Sequence, residues 1–185
     1  ADSSVIVRRQ GLKADGPVVM RGLDNMQLAD RVAAAIMEHR PHAVFIDAGQ
    51  GQGVIDRLRQ LGHDVIEVPF GGKPLQEGRF ANRRQWLKSG GKLPDEGDDV
   101  PRLRAELSAP LYWYDAAGRM VLEPKDKIKE RLGASPDIAD ALALTFAAPV
   151  ALPEPGQEMF LPEQARDAHG FLFSWDGGED DARPW

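Results

Sequence analysis

Two stretches decide how this chain reads: residues 133–147, "GASPDIADALALTFA", and residues 43–53, "AVFIDAGQGQG". In the first, Ser135 has the character of an N-cap, Pro136 of a first helical residue and Asp137 of an acid in the first turn. Ile138 to Ala148 then run almost wholly apolar, so a helix over 136–147 is predicted. A helix that is apolar all round is a buried one. Asp137 and Asp140 are three apart and so share a face, and burying unpaired carboxylates is costly or forces their protonation. A divalent cation would resolve that conflict. So would Asp137 complementing the helix dipole while Asp140 pairs with an arginine or a backbone group, and the helix alone does not choose.

In the second stretch, Val44, Phe45 and Ile46 form the short apolar run of a central strand covered on both faces, and Asp47 stands where that strand stops. Residues at the carboxyl ends of such strands line the crevice in which open α/β sheets hold ligands. The plainer alternative is an aspartate capping its own turn, helped by Gly49. Gly49, Gly51 and Gly53 spell G-x-G-x-G, which fits neither the dinucleotide fingerprint nor a P-loop, which would need a lysine. They read as a tight strand-to-helix turn.

Composition narrows the chemistry. The 185 residues suffice for one well-cored domain and a tail, and 42% hydrophobic with 28% charged residues is ordinary for a globular protein. With no cysteine and four scattered histidines (His39, His42, His63, His169), thiolate metal sites are excluded and zinc is disfavoured. A metal here should be a hard cation held by oxygen, Mg²⁺ or Mn²⁺. The apolar stretch around Ala139 to Leu152 is too short to span a bilayer, no secretory signal pattern is present, and the chain is expected to be soluble and cytoplasmic. After Pro149 stand eight acidic and two basic residues, which account for the whole net charge of −6, so the body is neutral. Within it, Arg79, Arg83 and Arg84, and then Lys125, Lys127, Lys129 and Arg131, form clusters suited to phosphate contacts or, equally, to solvated helix faces.

Along the chain, 3–10 and 17–21 read as an antiparallel hairpin turning through Gly11 to Gly16. Leu28, Val32, Ala35 and Ile36 mark an amphipathic helix over 27–40, capped by Asp24 or Asn25 and ended by Pro41. Strand 43–47, helix 54–61 and strand 64–69 imply parallel pairing through a right-handed crossover. A glycine-rich loop after Phe70 precedes a short helix over 80–88, and Val100, Leu103 and Leu107 mark another over 99–109. "LYWYDAAGRMVLEP" (111–124) reads as an inserted hairpin, whose stripe Tyr112, Trp113 and Tyr114 is more often packing than base stacking. Residues 1–149 are expected to be the folded domain and 150–185 an acidic, proline-rich tail.

In this order the elements resemble the ribonuclease H-like fold: a mixed α/β sheet flanked by helices, here with an inserted β-hairpin. More narrowly, "DSSVIVRRQG", "FIDAGQGQGVIDRLRQLG", "VIEVPFGG", "FANRRQWL" and "KIKERLGASPDIADALALTF" resemble the C-terminal nuclease domain of phage terminase large subunits, across most of residues 2–147. The resemblance implies a metal-dependent endonuclease that cuts concatemeric duplex DNA with two Mg²⁺ or Mn²⁺ ions. It makes Asp47 the second catalytic acid, Asp137 the third and Asp140 a neighbour that binds metal or orients its ligands. The first acid would lie in a segment of which Asp2 is the last residue, so it is expected upstream of Ala1. Implied partners are duplex DNA, an N-terminal packaging ATPase domain, the portal and a small terminase subunit. The ATPase lies outside this sequence, which has no G-x-x-x-x-G-K-[ST]. The rival readings are a Holliday-junction-resolvase-like nuclease and a catalytically silent DNA-binding or docking module of the same fold.

Overall fold

Four short strands open the chain: β1 (Ser3–Ile6), β2 (Arg9–Gln10), β3 (Lys13–Ala14) and β4 (Val18–Arg21). The computed structural model describes residues 3–69, 73–118 and 120–150, so Asp2 and the 151–185 part of the tail lie outside the described residues. Strand β1 runs antiparallel to β4, with Ser3 opposite Arg21 and Ile6 opposite Val18, and β2 pairs with β3 at the far end. The expected hairpin therefore forms, but its turn contracts to Gly11 and Leu12, where Gly11 takes the left-handed φ of 55° that glycine tolerates.

Helix α1 (Asn25–His39) starts with a full capping box: the Asp24 carboxylate accepts from the Gln27 amide at 2.8 Å, and the Gln27 side chain accepts from the Asp24 amide at 3.1 Å. It stops at Arg40, in left-handed backbone directly before Pro41. Strands β5 (Phe45–Asp47) and β6 (Ile66–Val68) pair in parallel around α2 (Ala48–Gln60), with Phe45 opposite Ile66 and Asp47 opposite Val68.

The glycine stretch corrects the sequence reading, because it is no turn. Helix α2 begins at Ala48, immediately after Asp47, and Gly49, Gly51 and Gly53 lie inside it. A methyl group at Gly51 would stand 2.8 Å from Ile46 Cγ2, and one at Gly53 2.5 Å from Asn25 Nδ2. These glycines let the helix close onto β5 and α1.

Helix α3 (Lys73–Lys88) likewise starts earlier than the predicted residue 80, running through Gly78. Then come α4 (Val100–Ser108), the inserted hairpin β7 (Tyr112–Tyr114) and β8 (Met120–Leu122) with Trp113 opposite Val121, α5 (Lys125–Leu132) and α6 (Asp137–Leu144). The architecture is mixed α/β, with parallel and antiparallel pairs among helices, as the resemblance implied; among the described residues the strands pair two by two.

Two cores hold it together. Ala29, Ile36, Val54, Ile55, Leu58 and Val65 bury the contact of α1 with α2 and the β5–β6 layer. Ala14, Trp86, Leu103, Ile138 and Leu142 join the opening hairpin to α3, α4 and α6. Trp86 serves the second core at both ends, its ring 5.8 Å from that of Phe146 and its Nε1 donating to the Gly11 carbonyl at 2.9 Å. Helix α6 is thus buried as its apolar run requires, with Ile138 and Leu142 fully enclosed.

Candidate active site

Asp47 closes β5 and caps α2, its Oδ1 accepting from the Gly49 amide at 2.9 Å. The capping alternative is therefore correct as far as it goes, and it leaves the carboxylate at the carboxyl end of a parallel strand. There Asp47 lines a cavity together with Asp140 of α6, Arg79 and Arg83 of α3, Lys125 of α5 and Glu106 of α4. Asp47 and Asp140 come together across 93 positions of sequence. Lys125 Nζ donates to Asp140 Oδ2 at 2.5 Å.

Asp137 takes a different course. Three residues from Asp140, it turns toward α4, with its Oδ2 3.7 Å from Arg102 Nη2, and is absent from the cavity lining. The expectation of one shared acidic face gives way to two neighbouring ones, Asp140 on the cavity and Asp137 against Arg102.

No family model matches the sequence, and no curated protein matches it. Solved structures do. The nuclease domain of the large terminase subunit gp2 of bacterial virus Sf6 superposes with a TM-score of 0.60 at 19% identity, covering 80% of this chain and 84% of that one. A lysine-to-alanine mutant of that domain solved with manganese gives 0.57 at 20% identity, over 77% and 82%. The fold is that of a phage terminase nuclease domain. The large terminase nuclease of thermophilic phage G20c agrees, with a TM-score of 0.57 at 16% identity over 79% and 82% of the two chains.

On this fold, the donors present suit a hard cation: the carboxylates of Asp47, Glu106, Glu123 and Asp140 line one cavity, of which Glu106 and Glu123 are taken up by Arg102 and Arg131, and no sulfur or imidazole lines it. Among the described residues no group of three or more acids, histidines or cysteines stands close enough to enclose a metal. Asp47 and Asp140 are the carboxylates of this lining that would be left to hold such an ion. A second ion would draw on a further acid, and Asp2, which ends the segment expected to supply it, lies outside the described residues.

The basic residues separate by depth. Arg83 is buried at 5% exposure; its guanidinium lies 5.1 Å from the Phe80 ring and donates to the Ala139 carbonyl at 3.3 Å. Burial pushes its pKa down to about 10, against the pull of Asp140, so it stays charged at neutral pH. Arg79 lines the cavity and donates to the Pro69 carbonyl. Arg84 lies outside, 4.4 Å from the Tyr112 ring and beside Gln85, Lys88 and Tyr114 in a shallow cleft. Lys127, Lys129 and Arg131 are exposed on α5, yet Arg131 grips Glu123 at 2.6 and 2.9 Å and the Ala109 carbonyl, bracing the base of the inserted hairpin. Its hydrogen bond holds the Glu123 carboxyl below its ordinary pKa.

Sequence reasoning missed Glu106. Its carboxylate, 4% exposed, accepts from the amides of Ile138 and Ala139 at 2.8 and 2.9 Å and from Arg102 Nε at 2.7 Å. Ser135 does not cap α6 as expected: Pro136 occupies the cap position without a side-chain bond, and Glu106 satisfies the amides instead. Desolvation raises the Glu106 pKa despite those donors. A lone glutamate in "LRAELS" carries no local mark of this role, since its partners lie 32 and 33 residues onward. The one available signal was an acid on the apolar side of α4, three residues after Leu103.

Proposed function

We propose that this domain is the metal-dependent endonuclease of a viral DNA-packaging terminase, cleaving concatemeric duplex DNA by phosphodiester hydrolysis. The observation that carries the reading is the meeting of Asp47 and Asp140 in one cavity, on a fold shared with the terminase nucleases of Sf6 and G20c. Bound Mg²⁺ or Mn²⁺ would supply the chemistry: activation of a water and stabilisation of the leaving oxygen's charge. Asp47 and Asp140 would hold the cation, each already oriented by its element: Asp47 by the cap it makes on α2, Asp140 by the buried helix behind it. Lys125, 2.5 Å from Asp140, balances its charge at the cavity wall and would be available to an incoming phosphate. Lys127 and Lys129 on exposed α5, and Arg84 with Lys88 beside the hairpin, provide the charge that draws the duplex backbone to the cavity. The ATPase domain, portal and small subunit are the partners this assignment entails.

Mn²⁺-dependent nicking of supercoiled plasmid tests the proposal. Asp47→Ala and Asp140→Ala should each lower the rate by at least about a hundredfold, as expected when a metal ligand is lost, and Asp137→Ala by far less. Equal nicking by all variants and the parent would remove the enzyme reading and leave a DNA-binding module. Preference for four-way junctions over linear duplex would favour a resolvase.

A further inference from the structure

Only two charged side chains among the described residues are buried, Arg83 at 5% and Glu106 at 3% exposure, and both act on the same backbone residue. Glu106 Oε2 accepts from the Ala139 amide at 2.9 Å, and Arg83 Nη1 donates to the Ala139 carbonyl at 3.3 Å. Ala139 directly precedes Asp140 and is itself buried at 2%. One acid from α4 and one base from α3 therefore hold the two ends of a single residue in α6.

We infer that Glu106 and Arg83 form a buried clamp whose task is to fix the direction of the Asp140 carboxylate, making both of them positioning residues. Helix α6 has no side-chain cap from its own sequence and is only eight residues long, so its first turn would fray unless its amides found acceptors elsewhere. Glu106 supplies that acceptor to two successive amides and is itself held by Arg102 Nε at 2.7 Å. Burying an ion pair's worth of charge is a poor way to gain stability, because desolvation offsets most of the attraction. It is a good way to hold a backbone in one orientation, since charged hydrogen bonds are short and directional. The carbonyl that Arg83 grips belongs to the Ala139–Asp140 peptide, so rotation of that peptide would swing the Asp140 side chain out of the cavity it shares with Asp47. Arg83 is thereby engaged inward, at the backbone, in addition to lining the cavity wall.

The clamp rests on the metal-nuclease reading, and the test separates the two. Mn²⁺ affinity would be measured without DNA by calorimetry, alongside thermal midpoint and amide exchange across 137–142, for the parent chain, two breaking variants and two conservative ones. Glu106→Leu and Arg83→Met keep volume but remove the acceptor or donors; each should weaken Mn²⁺ binding by about tenfold in the folded fraction, as loss of a group that orients a metal ligand does. Glu106→Gln retains one acceptor oxygen and Arg83→Lys one donor, and each should weaken it only about threefold, the size of one impaired hydrogen bond. Faster exchange at Ile138 and Ala139 should accompany Glu106→Leu. A lowered thermal midpoint with parental Mn²⁺ affinity would overturn the clamp, as would conservative variants as weak as the breaking ones. If the breaking variants fail to fold, the conservative pair decides alone: threefold weaker binding supports the clamp and unchanged binding overturns it. A parent chain that neither binds Mn²⁺ nor nicks DNA would instead overturn the nuclease reading, while exchange at Ile138 and Ala139 would still report on the clamp.

Discussion

The two cores of this molecule are built by different rules. Between α1, α2 and the β5–β6 layer the buried residues, among those described, are apolar: Ile36, Val54, Ile55, Leu58 and Val65 with Ala29. Between the opening hairpin, α3, α4 and α6, Leu103, Ile138 and Leu142 share the interior with Arg83 and Glu106. The first core holds elements together, and a transfer free energy that rises with buried area is enough for that. The second must also aim a particular side chain, and area has no direction. Among the described residues, buried charged side chains stand only behind the helix that carries Asp140.

The largest effect should come from the apolar core. Leu58→Ala removes a fully enclosed side chain and should cost about 2–5 kcal/mol, read as a lower denaturant midpoint, while Mn²⁺ affinity in the folded fraction stays parental. A change in affinity there would show that the two cores are not separable. Gly53→Ala sets alanine's better helix propensity against a methyl 2.5 Å from Asn25 Nδ2 and 3.1 Å from its Cγ, and because the end of that side chain can swing aside the net change should stay within about 1 kcal/mol; a larger fall in thermal midpoint would show that Asn25 is held fast between α1 and α2.

A smaller effect is tied to pH. At Asp15, burial raises the pKa, but hydrogen bonding and charge from Arg8, aided by Lys13, outweigh it and leave the pKa below the ordinary value. A carboxyl whose folded pKa is depressed lends stability above its unfolded pKa and loses it as pH falls toward the folded one. The parent should therefore exceed Asp15→Asn at neutral pH by no more than about 1 kcal/mol, since the pair is partly exposed, and the difference should vanish in acid. A difference that grew in acid would reverse the sign. Smallest of all, Trp113→Ala should shift stability by no more than about 0.5 kcal/mol, because its side chain stands half exposed on β7. A large loss would mean that the hairpin belongs to the second core.

Local signals in the sequence served the first core well. Leu28, Val32 and Ile36 at helical spacing, Asp24 before them and Pro41 after them predict α1 to within two residues, because caps and periodicity act over a single turn. The apolar run ending in Asp47 gave β5 and its parallel partner. The glycines misled, since they answer to neighbours in space, Ile46 and Asn25, and G-x-G-x-G looks the same whether it turns or packs. At the site, Asp47 and the acidic pair of α6 were visible, but which acid of the pair meets Asp47 was not. Three residues along a helix span about 300° of rotation, and the remaining 60° is enough to send Asp137 to Arg102 and Asp140 to the cavity. Glu106 was marked only by its place on the apolar side of α4, because the amides it accepts from lie on a different helix.

Asp47 holds the first turn of α2 with the same carboxylate that faces the cavity. Asparagine closes a helix start about as well as aspartate does, so exchanging one oxygen for an amide nitrogen there should leave the architecture untouched while removing the negative charge. On the proposed nuclease reading, Asp47→Asn is thus expected to give an intact but inert variant, whose hold on uncut DNA would let the path of the duplex across the protein be mapped.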